Sequence, residues 1–201
     1  MLSQRNILDG LFVTSALGTS AALVTSINAT KMKGSTFAQH PIMAATGFSV
    51  VASAAYLMAR TKQRSSTMVT VHQASMFAGT GAMYYALWVI YGVKESNKKK
   101  HVQTWHSYYG VGAAVALSLL TLGTTFATWT SNKDARRAIM KYHTVAGKVA
   151  GVTLAAAVVT GTLTTFKETG TRLAIAGSAV AATGIIIAAA ALKRRPLKSA
   201  E

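Results

Sequence analysis

Residues 174–191 read AIAGSAVAATGIIIAAAA, a run with no charge and no polar group larger than a hydroxyl. A helix of about 20 such residues, rising about 1.5 Å each, is as long as the hydrocarbon core of a bilayer is thick. A soluble helix needs a polar stripe, and this run has none. It also lacks the period-two alternation that a strand of a membrane barrel requires. Working outward, five more runs of the same kind appear, so the expected spans are residues 7–29, 41–59, 68–93, 105–130, 142–166 and 171–192. Short polar connections separate them, which makes successive spans antiparallel. The expected fold is all-α, a six-transmembrane-helix bundle forming one integral membrane domain over residues 1–201.

Composition agrees. Only 13% of residues are charged and 51% are apolar, with mean hydropathy +0.33. The net charge of +16 arises from 21 Lys and Arg against 5 acids. In a soluble protein that excess would point to nucleic acid, but here the cations sit at span ends, where membrane lipid or an anionic substrate is the expected partner and nucleic acid is not. There is no cysteine, which excludes disulfides, iron–sulfur ligation and thiolate metal sites and leaves histidine as the leading ligand. Small residues within the spans, as in Gly147-x-x-x-Gly151 and the stretch from Gly18 to Ala22, suit close helix packing and leave room for a large prosthetic group.

The two ends of the bundle differ in charge. Face A, with both termini and the second and fourth connections, carries twelve Lys and Arg; face B carries eight. The positive-inside rule then puts face A in the cytosol or matrix. The segment Met1–Arg5 lacks a cleavable signal pattern, and the first span is expected to be retained. That, the absence of cysteine and the basicity favour the mitochondrial inner membrane over an endomembrane.

Five histidines are present, four of them at corresponding positions: His40 just before the second span, and His72, His106 and His143 early in the third, fourth and fifth. Ionisable groups at membrane depth are costly and usually functional. One such histidine alone is more often an interfacial imidazole; four at successive span starts are not explained that way. Alternation of direction puts His40 and His106 at face B, and His72 and His143 at face A. Each pair offers two imidazole nitrogens to a planar group between alternate helices, as six-coordinate haem iron requires. Two haem b groups are therefore expected, with iron as the metal at His40, His106, His72 and His143. His101 lies in a Lys-rich loop and is set aside. Zinc is disfavoured because Cys, Asp and Glu are absent nearby, and a proton-path transporter because Asp9 is the only acid near a span interior.

At these residues the chain resembles the cytochrome b561 family of transmembrane electron carriers. The family's His-Pro followed by Gly-Phe is similar to His40-Pro41 and Gly47-Phe48, and its His-Ser-Trp-x-Gly to His106-Ser107-Tyr108-Tyr109-Gly110, with Tyr in place of Trp. Glycines follow the family's fifth-span histidine as Gly147 and Gly161 follow His143. The resemblance implies a small-molecule electron donor, ascorbate, on the cytosolic face and an acceptor, monodehydroascorbate or a ferric chelate, on the other. It implies an oxidoreductase whose ascorbate site uses cations near the third- and fifth-span histidines. Arg137 matches one such position, with Arg136 and Lys141 beside it as substrate-binding candidates. Before His72 the family usually has Lys, whereas here the stretch Ser65–Val71 has none, leaving Lys62 or Arg64 to reach. These cations also serve as headgroup anchors. Lys148, inside the fifth span, is expected to snorkel or meet a haem propionate. The alternative is a haem-containing or structural accessory subunit of a larger respiratory complex; a homodimer or membrane-complex partner is compatible with either.

Overall fold

The computed structural model describes residues 4–28, 34–61 and 65–193. Six helices follow one another: α1 Gln4–Asn28, α2 Thr36–Arg60, α3 Ser66–Ser96, α4 Trp105–Trp129, α5 Lys133–Thr165 and α6 Thr169–Lys193. All six are long and apolar enough to cross a membrane. The chain is a multi-pass membrane protein.

Two helix starts differ from expectation, and in both a cap explains the difference. The apolar run puts the start of the second span at residue 41, just after His40. Instead Ser35 caps α2 through its side chain, which accepts the Ala38 N–H, so the helix begins at Thr36 and contains both His40 and Pro41. Asn132 likewise accepts the N–H groups of Asp134 and Ala135, at 3.0 Å each, and starts α5 nine residues before the apolar run. Lys, Arg, Ala and Met are good helix formers, so the polar stretch from Lys133 stays helical, with Asp134 favourably placed in the first turn. At about 50 Å, α5 exceeds the hydrocarbon core by roughly 20 Å, and its first ten residues, mostly exposed, stand beyond face A.

Packing is uneven. Helices α2 and α3 form one close hairpin and α4 and α5 another, whereas α3 and α4 touch more sparsely. Glycine makes the first hairpin tight: a Cβ at Gly47 would lie 2.8 Å from the Gly79 carbonyl oxygen, and one at Gly79 would lie 2.7 Å from Cγ2 of Val51. The glycines singled out from the sequence behave otherwise. Gly18 and Gly147 face open space, and Gly151 meets only Cγ2 of Thr183 at 4.0 Å. The Ala-rich α6 packs along α1, where Thr19 and Ser178 share a hydroxyl hydrogen bond of 2.8 Å, and Ala179 and Ala182 are fully buried. Helices α1 and α6 thus close the side of the bundle formed by α2 and α5.

At face A, Phe12 stacks on Tyr56 with ring centres 4.0 Å apart, and the Tyr56 hydroxyl donates to Asp9 at 2.6 Å. Arg60 pairs with the same carboxylate. The one acid near a span interior is therefore neutralised by contacts that tie α1 to α2.

Candidate functional site

Helix alternation brings the four histidines together two by two. The rings of His40 on α2 and His106 on α4 have centres 5.9 Å apart; those of His72 on α3 and His143 on α5 are 6.3 Å apart. All four rings are half-buried. Two imidazoles bonded to opposite sides of one metal ion, each at about 2 Å, have ring centres roughly 6 Å apart. Both pairs meet that spacing. No Cα of α2 comes within 8 Å of one of α4, nor of α3 within 8 Å of α5, among the described residues. The paired helices thus stand farther apart than helices in direct contact.

The protonation of three rings follows from their partners. Nδ1–H of His40 donates to the Ala86 carbonyl at 2.9 Å, that of His72 to Ala54 at 3.1 Å, and that of His106 to Ala157 at 2.9 Å. A carbonyl only accepts, so Nδ1 carries the proton and Nε2 presents its lone pair, the form that ligates metal. Each acceptor lies on the other helix of the same close hairpin: α3 for His40, α2 for His72, α5 for His106. The tight hairpins orient the rings, and the looser junction between hairpins faces ring to ring. Sequence reading missed these carbonyls, because any residue supplies one and only the fold selects which.

The expected cations are placed unequally around α5. Arg136, seven residues before His143, lies about 20° from it around the helix and two turns outward. Arg137 lies about 120° away and is 3.8 Å from Asp134, with 82% of its side chain exposed. Lys141 is on the opposite side, its Nζ 5.3 Å from the Tyr142 ring centre. Lys148 is the sixteenth residue of α5 rather than about the fifth, because the helix starts early. It lies about 140° from His143, on the flank where Gly151 meets α6. Of the four, only Arg136 shares the histidine's face. Lys62 and Arg64 lie outside the described residues.

At face B, Phe37 stands 6.2 Å from His40, and an open cavity of about 700 Å³ is lined by Thr36, Phe37, Gln39, Tyr85, Trp88 and further residues of α3. Trp105 and Tyr108, which flank His106 in sequence, are 72% and 54% exposed, an exposure that suits interfacial aromatic anchors. His101 is held apart, with Nε2 2.6 Å from Glu95 and its ring stacked on Tyr91. Among the described residues no group of three or more His, Asp or Glu side chains gathers that could hold a metal ion, and the facing imidazoles come in pairs.

The fold and site define a class of protein: a membrane-spanning helical bundle with two facing imidazole pairs, one at each end. The family model for eukaryotic cytochrome b561 matches residues 39–168, which include all four paired histidines. The chain belongs to the cytochrome b561 family. Membership implies transmembrane electron transfer, and the family generally binds two haem b groups. Helices α1 and α6 lie outside the matched segment. Comparison with curated proteins finds no match.

Proposed function

We propose that the chain carries electrons across the membrane with one haem b held by Nε2 of His40 and His106 and a second held by Nε2 of His72 and His143. The observation that carries this reading is the spacing of the two ring pairs, 5.9 and 6.3 Å, at opposite ends of one apolar bundle. Bound haem supplies an iron that changes oxidation state by one electron, at a potential set by its ligands and surroundings. The protein's own residues do the rest. The carbonyls of Ala86, Ala54 and Ala157 fix three rings in the ligating tautomer, and the alanine-rich spans exclude water. Arg136 offers a positive charge above His143 to an anionic donor such as ascorbate. The cavity beside Phe37 gives a ring-sized or chelated acceptor access to the other end.

Purified protein should contain two haems per chain, be reduced rapidly by ascorbate and be reoxidised by a ferric chelate. Protein folded without haem would overturn the reading, and co-migration with a respiratory complex without an ascorbate response would replace it with the accessory-subunit role. We place the chain in the mitochondrial inner membrane on its basicity and lack of cysteine. Co-fractionation with an endomembrane marker would overturn that placement.

A further inference from the structure

We infer that Gly161 is a positioning residue for the face B site, its missing side chain leaving the slot in which the His106 imidazole rests against α5. The inference builds on the proposed ligation by His106. A Cβ at position 161 would lie 2.7 Å from Cε1 and 2.8 Å from Nδ1 of His106, closer than real Cβ contacts come. The ring has little freedom to yield. On one side Nδ1–H is bonded to the Ala157 carbonyl at 2.9 Å, and on the other the proposed ligation opposite His40 would fix Nε2.

Ala157 precedes Gly161 by four residues, so its carbonyl is also the acceptor that an α-helix assigns to the Gly161 N–H. The imidazole reaches a carbonyl already used by the helix, and it does so across position 161. A methyl group there stands in that path. It would push the ring off its carbonyl, tilt it relative to His40 and weaken control of the tautomer. Other glycines of the α4–α5 hairpin do not resemble this one: Gly110, Gly123 and Gly147 face open space, and Gly112 and Gly151 make only ordinary contacts. Nor does any glycine have His72 or His143 among its nearest neighbours. The device therefore belongs to one end of the molecule.

The test compares Gly161→Ala with Gly184→Ala, a change into open space on α6. Gly161→Ala should lose one of the two haems, or keep it with an altered low-spin spectrum and a shifted midpoint potential, while the second haem and its reduction from face A stay as in the wild type. Gly184→Ala should change neither. Two haems with wild-type spectra and potentials in Gly161→Ala would overturn the inference alone, whereas a wild-type protein without haem would overturn the proposed function. If Gly161→Ala folds poorly, the double variant His106→Ala/Gly161→Ala decides. With the ring removed the added methyl should cost no further thermal stability beyond His106→Ala, and an undiminished cost would show that the clash is not with the imidazole.

Discussion

The two ends of the bundle hold similar histidine pairs in different ways. At face B the His106 ring is pressed against α5 at a glycine, and His40 is flanked by Phe37 beside an open aromatic cavity. At face A no glycine presses on either ring, and α5 continues outward as a basic helical stem. The spacing of the rings is nearly the same, 5.9 against 6.3 Å, so spacing alone does not distinguish the sites. What differs is how each is approached. Face A extends its cations on a helical stem, suited to drawing in an anion; face B, with eight Lys and Arg of its own, adds the aromatic and amide groups that line the cavity beside His40.

The sharpest break of this comparison is removal of a ligand. His40→Ala or His106→Ala should abolish the face B haem and spare the other, and His72→Ala or His143→Ala should do the reverse. Haem stoichiometry reads this directly, and unchanged content in a pair's two variants would refute that pairing. A smaller effect should fall on both ends together. Gly79→Val forces a branched side chain into the α2–α3 crossing, where α2 carries His40 and α3 carries His72. Overpacking of this kind costs about 1–3 kcal/mol, and thermal unfolding in detergent should show it together with weaker retention of both haems.

Charge removal should act on one end only. On the proposed role of Arg136 in steering the donor toward His143, Arg136→Gln should slow reduction by ascorbate about three- to tenfold. Lys141→Gln, on the far side of α5, should change the rate less, and equal effects would remove Arg136 from the approach. The smallest change concerns the junction between hairpins, which Gln73 bridges by donating to Thr128 at 2.9 Å, with Tyr84 and Ser118 bonded at the same distance farther along. Interhelical hydrogen bonds in membranes average about 0.6 kcal/mol, so Gln73→Leu should lower stability slightly and leave haem content intact.

The six spans, their antiparallel order and the two-by-two pairing of His40, His106, His72 and His143 were legible in the chain itself. Hydrocarbon demands apolar helices of a set length, and short connections force alternation, so span starts map onto faces without knowledge of packing. The early start of α5 was less legible: hydropathy registers where the membrane begins, not where the helix does, and only the Asn132 cap marks the latter. The candidate cations were found by proximity in sequence, but helical angle separates Arg136 from Arg137 and Lys141.

Sequence by itself determined the number of spans, the end at which each histidine lies and which imidazoles share an end, because these follow from hydropathy, length and direction. Tertiary structure alone decided which glycines are close contacts, which carbonyls orient the rings and which cation faces the site. Those properties depend on the rotation of each helix about its axis and on the distance between helices. Both are set by packing among six helices at once, and neither is carried by any single stretch of chain.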